Sequence, residues 1–142
     1  MTQIQPVHAT TVARYDQGRW RAVMLLGPSG AGKSDLGLRL IGRGWRLVSD
    51  DYTRVWASQG ALYATAPVQI AGRIEARGVG IVSVETRLIA RVVLTVACVP
   101  EAVERLPEPQ TRRFEGVDLP LFALDPRLPS APDMVDAALL TL

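Results

Sequence analysis

Apolar residues in this chain fall into short runs separated by glycine, proline and polar clusters, and the period of each run assigns its element. Gln5 to Tyr15 carries β-branched residues around His8 and reads as a strand. Asp16-Gln17-Gly18-Arg19 is a turn signal, and Trp20 to Leu26 follows as an apolar strand. Lys33 to Ile41 switches to helical spacing, with Leu36, Leu40 and Ile41 on one side, and Gly42 and Gly44 bracket its end. Arg46 to Ser49 is a short strand ending at Asp50-Asp51. Tyr52 to Ala57 and Ala61 to Thr65 form a hairpin around Ser58-Gln59-Gly60.

The second half is less regular. Ala71 to Gly80 is glycine-punctuated and polar, hence a loop or a short helix. Ile81 to Val84 and Arg91 to Val99 are strand-like. Pro100 to Pro129 holds six of the ten prolines and reads as irregular, with one strand near Leu119 to Leu124. Met134 to Leu142 suits a short closing helix, with Pro132-Asp133 at its start. At 142 residues the whole chain, 1–142, is expected to be one domain.

Between the second strand and the first helix stands Gly27-Pro28-Ser29-Gly30-Ala31-Gly32-Lys33-Ser34. It matches the phosphate-binding pattern G-x-x-x-x-G-K-[ST] at every fixed position, in the strand–loop–helix context that gives the pattern its meaning. The composition sharpens this. Lys33 is the only lysine, the other fifteen basic residues are arginine, and there is no asparagine. Such a bias resembles high-GC coding drift, so a lysine that survives it suggests work arginine cannot do. A compact ammonium fits among phosphate oxygens where a planar guanidinium does not. The glycines let backbone N–H groups point at the phosphates, and the helix N-terminus adds its positive end. Lys33 would bridge the outer phosphates, and Ser34 would place its hydroxyl on a magnesium ion.

Other bulk properties narrow the class. A net charge of +2 is too small to imply a nucleic-acid partner, while a pI near 9.1 permits an anionic ligand. Cys98 is the single cysteine, lies in an apolar run, and reads as a buried small hydrophobe in a reducing cytoplasm. No secretory signal is visible and no apolar run reaches the length of a membrane span. A cytoplasmic nucleotide-binding protein, away from membranes, is the expectation.

Phosphoryl transfer needs more than a cradle: a carboxylate near the metal and a group that takes the acceptor proton. Asp50-Asp51 ends a strand just after the first helix. Adjacent residues at a strand end point to opposite sides, so one carboxylate can face the metal and the other an acceptor hydroxyl. The bland alternative is a solvated turn. Glu75 lies in Gly72-Arg73-Ile74-Glu75-Ala76-Arg77-Gly78-Val79-Gly80 and is either a second metal-facing carboxylate or a surface partner of Arg73 or Arg77. His8 is the only histidine, and a lone histidine is more often structural. Nothing local singles out Arg105.

Taken together, these residues resemble the catalytic domain of bifunctional HPr kinase/phosphorylase. Four segments carry the likeness in order: His8 opening a strand, GPSGAGKS at 27–34, RGWRLVSDD at 43–51, and IEARGVGI at 74–81, which resembles the family signature LEIRGLGI. The likeness spans nearly the whole chain and weakens after about residue 106. It implies an α/β P-loop core related to phosphoenolpyruvate carboxykinase, and an ATP- and Mg2+-dependent serine kinase. The implied acceptor is the phosphocarrier HPr or its nitrogen-branch homologue, in a homo-oligomer, a hexamer in the family. Gly27 to Ser34 would bind nucleotide, and Ser34 with Glu75 would hold magnesium, with Asp50 supporting the metal and its waters. Asp51 would accept the serine proton and return it in dephosphorylation. His8 and Lys33 resemble family active-site residues. Arg105, in Val103-Glu104-Arg105-Leu106, resembles the family's Asp-Arg-Leu arginine, placed to stabilise the moving phosphoryl group.

Two departures matter. The likeness covers the family's catalytic core and not its amino-terminal domain, so the expectation is a catalytic core only, resembling the short alphaproteobacterial form. The loop that family members write as VRPGRN reads Leu124-Asp125-Pro126-Arg127-Leu128-Pro129, which keeps only the proline in register, although Arg127 is placed to replace one arginine. An aspartate repels phosphate there, so the expectation is a kinase with weak or lost phosphorylase activity. The competing readings are a P-loop small-molecule kinase and a nucleotide-sensing regulator without catalysis.

Overall fold

A computed structural model describes residues 5–100 and 104–142. The elements run β1 (Val7–Asp16), β2 (Arg19–Leu26), α1 (Lys33–Ile41), β3 (Arg46–Ser49), β4 (Tyr52–Ser58), β5 (Ala61–Thr65), β6 (Arg73–Ala76), β7 (Gly80–Ser83), β8 (Ala90–Cys98), β9 (Gln110–Phe114), β10 (Val117–Leu124) and α2 (Ala131–Leu140). The β1–β2 hairpin turns through Gln17 and Gly18, both at positive φ, the backbone that a two-residue hairpin loop demands. No helix among the described residues is long and apolar enough to cross a membrane.

Eight strands form one sheet in the order β2-β1-β4-β5-β8-β10-β9, with β3 paired to β1 off that path. A second pairing of β2, parallel to β8, closes β1, β4, β5, β8 and β2 into a ring. Strands β2 and β8 are near-continuously apolar because both of their faces are covered. Inside the ring lie Ala9, Ala13, Ala22, Met24, Leu62 and Ala64, all buried, and alanines let its walls approach closely. Thr11 and Thr53 are buried there too and satisfy each other at 2.8 Å.

The opposite face of β1, β2 and β8 carries the helices. Val12, Val23, Leu25, Leu94 and Val96 meet Leu36 and Leu40 of α1 and Val135 and Leu139 of α2. Period two on the strands and period 3.6 on α1 thus converge on one layer. Gly37 makes the closest approach: a Cβ there would meet the Thr10 Cγ2 at 3.0 Å. Salt bridges tie the periphery, Arg14 to Asp136 at 2.8 Å and Arg43 to Asp133 at 2.6 Å, both joining α2 to the body.

Three expectations need correction. The segment 71–80 is neither loop nor helix: β6 and β7 pair as a separate two-stranded hairpin, with Ile74 and Ala76 buried and their neighbours exposed. Tertiary burial of that alternation outweighed the glycines around it. The segment 100–129 is not mainly irregular. β10 runs longer than foreseen and carries a partner, β9, joined through Glu115 and Gly116 at positive φ. Pro120 stays in the strand, and its carbonyl accepts a bond from Thr95 Oγ1 at 2.8 Å. The closing helix runs Ala131–Leu140 rather than Met134 to Leu142, with Pro132 and Asp133 in its first turn as expected.

Cys98 ends β8 inside the core, and burial pushes its thiol up to about 12. The thiolate is the reactive form. An alkylating reagent at neutral pH is therefore expected to leave Cys98 unmodified in the native protein and to label it fully in denaturant, read by intact mass. Rapid labelling of the native protein would contradict this packing.

Candidate functional site

The loop after β2 folds back on the end of β8. Gly27, at φ 148°, has Cys98 O only 3.0 Å from where a Cβ would sit, so a side chain has no room. Gly32 caps α1 at φ 101° with no side-chain bond to the helix N-terminus. The first-turn N–H groups therefore stay free for an external anion. On its other side Gly32 lies against the 125–129 loop, with Pro126 Cγ 3.1 Å from its would-be Cβ. Arg39 of α1 holds that loop by donating to the carbonyls of Pro126 and Leu128.

Lys33 is buried, and its Nζ donates to Gly27 O at 2.6 Å and Pro28 O at 3.0 Å. Burial lowers its pKa from the usual lysine value, while the carboxylates of Asp51 and Asp50 pull it back up. An anion in the loop would supply the counter-charge that the two carbonyl dipoles only approximate.

Asp50, 8% exposed, is the best-connected carboxylate of the site. Its Oδ1 accepts from Ser34 Oγ at 2.6 Å and from Thr10 Oγ1 at 2.8 Å, and its Oδ2 accepts the Glu75 N–H at 3.2 Å. Asp51 turns the other way. Its backbone is left-handed at φ 68°, uncommon for a non-glycine residue and typical of functional sites. Its Oδ1 accepts from His8 Nε2 at 3.0 Å, and the His8 ring stacks on Tyr52 with centroids 5.1 Å apart. The structure thus places one aspartate inward on the P-loop serine and the next outward on the histidine.

A cleft of about 690 Å³ opens over these groups. Its floor is Lys33, Ser34 and Asp50, and its wall includes Arg73, Glu75 and Arg77 from β6 and the turn that follows it. Glu75 contributes its backbone N–H to Asp50, and its side chain stands on the exposed face of β6. Arg105 lies on an exposed bend and is not among the residues lining the cleft. Its neighbour Val103 lies outside the described residues. Thr10 and Tyr52 escaped the sequence reading. The signal for Thr10 was available, since it follows His8 by two and shares its face of β1.

The donor set suits magnesium. Among the described residues no three His, Cys, Asp or Glu side chains converge on one point. Magnesium asks for no such cage: it keeps several waters and takes one or two carboxylates beside substrate phosphates. Asp50 next to the Ser34 hydroxyl, at the mouth of the glycine loop, offers donors of that kind.

Parallel β2 and β8, a glycine loop leading into α1, and acidic residues just after β3 define an α/β domain. The chain belongs to the family described as HPr Serine kinase C-terminal domain, which matches residues 1–99. That match stops short of Arg105 and of the 125–129 loop. The HPr kinase/phosphorylase of Clostridium kluyveri is 45% identical over 62 residues, 44% of this chain and 20% of that protein. That of Brevibacillus brevis is 40% identical over 83 residues, 58% of this chain and 27% of that protein. The matched segments thus span about a fifth to a quarter of the curated relatives' length. The Hpr(Ser) kinase/phosphatase from Coxiella burnetii shares the fold, with a TM-score of 0.81 at 23% identity over 97% of this chain and 95% of that one.

Gly32→Ala tests the loop geometry. A Cβ at φ 101° against Pro126 is expected to lower unfolding stability by about 1–3 kcal/mol, read by denaturant titration.

Proposed function

We propose that this domain is a Mg2+- and ATP-dependent protein-serine kinase whose acceptor is the phosphocarrier HPr or its nitrogen-branch homologue. One observation carries the reading. Consecutive aspartates split their duties in space, Asp50 on the Ser34 hydroxyl at 2.6 Å and Asp51 on His8 at 3.0 Å. In this reading residues 27–34 seat the triphosphate, with Lys33 across its outer phosphates. Ser34 and Asp50 hold magnesium with Glu75 at the cleft wall, and the ion supplies charge neutralisation for the migrating phosphoryl group. Asp51, more than half exposed and beside the cleft, is the base that takes the serine proton. His8 donates to it and orients it. A pure nucleotide sensor has no use for that outward base.

The reading extends to the reverse reaction. Arg127 is the arginine in the 125–129 loop placed to capture phosphate, yet Asp125 engages it twice at 3.0 Å, through Nε and NH2, and Pro100 O takes a further bond. The pairing lowers the Asp125 pKa and raises that of Arg127. A guanidinium held by its own neighbour's carboxylate is a poor trap for free phosphate, so phosphorylase activity is weak.

Label from radioactive Mg-ATP is expected on purified HPr of the same source, and absent when the acceptor serine is alanine. Asp51→Asn is expected to cut this transfer by about 10²–10⁴-fold with ATP affinity unchanged. Lys33→Ala removes ATP binding. No label from a preparation that binds ATP would transfer the weight to a nucleotide-sensing role. Vigorous phosphate-driven removal of phosphate from phosphoserine-HPr would refute the weak-phosphorylase part alone.

A further inference from the structure

A single hydroxyl stands between the two aspartates. Thr10 is fully buried on β1. Its Oγ1 donates to Asp50 Oδ1 at 2.8 Å and accepts the Asp51 N–H at 3.4 Å. The polarity is forced. A hydroxyl has one proton, an ionised carboxylate can only accept, and an amide can only donate. The Thr10 methyl lies under α1 at the point where Gly37 lacks a Cβ. Its β-branched side chain is therefore held in one rotamer by strand and helix together.

We propose that Thr10 is a positioning residue for the pair: one hydroxyl orients the Asp50 carboxylate toward Ser34 and holds the left-handed Asp51 backbone that turns its carboxylate to His8. Removing the hydroxyl leaves the buried carboxylate with two of its three donors. It also leaves the Asp51 N–H without its acceptor. Partners of metal-orienting carboxylates are part of the metal's affinity, although they never touch it.

The inference rests on the Mg2+–nucleotide reading of the same cleft, and its test needs no acceptor protein. ATP affinity of the full chain is measured by calorimetry with and without Mg2+, and the ratio is the magnesium coupling. Thr10→Val keeps the branched shape and loses the hydroxyl. It is expected to leave metal-free ATP affinity unchanged and to reduce the coupling by about 10–100-fold. Thr10→Ser restores the hydroxyl and is expected to keep the wild-type coupling. A folded Thr10→Val with wild-type coupling would overturn the proposal. So would a folded Thr10→Ser that has lost it, because the methyl would then be the working part. Where Thr10→Val does not fold, Thr10→Ala removes the same hydroxyl and is held to the same expectation. A wild-type chain whose ATP affinity ignores Mg2+ also overturns it. Failure of the kinase reading looks different: Mg2+-coupled ATP binding with no label on HPr.

Discussion

The carboxylate of Asp50 is the point on which the site depends. A buried charge is tolerated only where its oxygens are satisfied, and here the three donors come from three separate parts of the chain. Thr10 comes from β1, Ser34 from the start of α1, and the Glu75 amide from β6. The phosphate loop, the strand bearing His8 and the β6–β7 hairpin are thereby fixed to one another at a single atom pair. The hairpin belongs to no larger sheet, and this bond and the burial of Ile74 dock it at the cleft.

Close packing supports that junction from below. α1 reaches β1 because Gly37 presents no side chain to Thr10, and the phosphate loop reaches β8 because Gly27 presents none to Cys98. The 125–129 loop completes the cradle from the far side, held by Arg39 and resting on Gly32. That loop and α2 lie beyond residue 99, where the family match ends, yet Leu124, Val135 and Leu139 sit in the same core as Leu36 and Leu40. The later third of the chain is therefore part of the body that carries the loop.

Much of this was legible in the residues. The phosphate loop, α1 and the strands through β5 follow from local pattern, because each is a short apolar run with turn chemistry at both ends. The opposite facing of Asp50 and Asp51 was read from strand alternation, yet both lie just past the end of β3, and it is the left-handed backbone of Asp51, marked by no glycine or asparagine, that turns its carboxylate outward. β6 was hidden because glycines flank its two buried residues, Ile74 and Ala76. β9 was hidden because it is an edge strand with almost no apolar content, Gln110-Thr111-Arg112-Arg113-Phe114, stabilised only by its partner. Hydrogen bonds between distant segments, such as Thr10 to Asp50, leave no periodic trace at all. The placement of Glu75 was half visible: its residue range was, but its backbone was the part in contact.

The ring of strands closes unevenly. Among the described residues β1 and β2 pair along eight positions, whereas β1 and β4 pair at two, Val7 with Thr53 and His8 with Tyr52, and the Thr53 hydroxyl adds bonds to Thr11 and Ala9. Sub-global opening follows the seam with the fewest bonds. Here that pairing contains His8 itself and borders Asp51, so any opening between β1 and β4 also moves the His8–Asp51 pair.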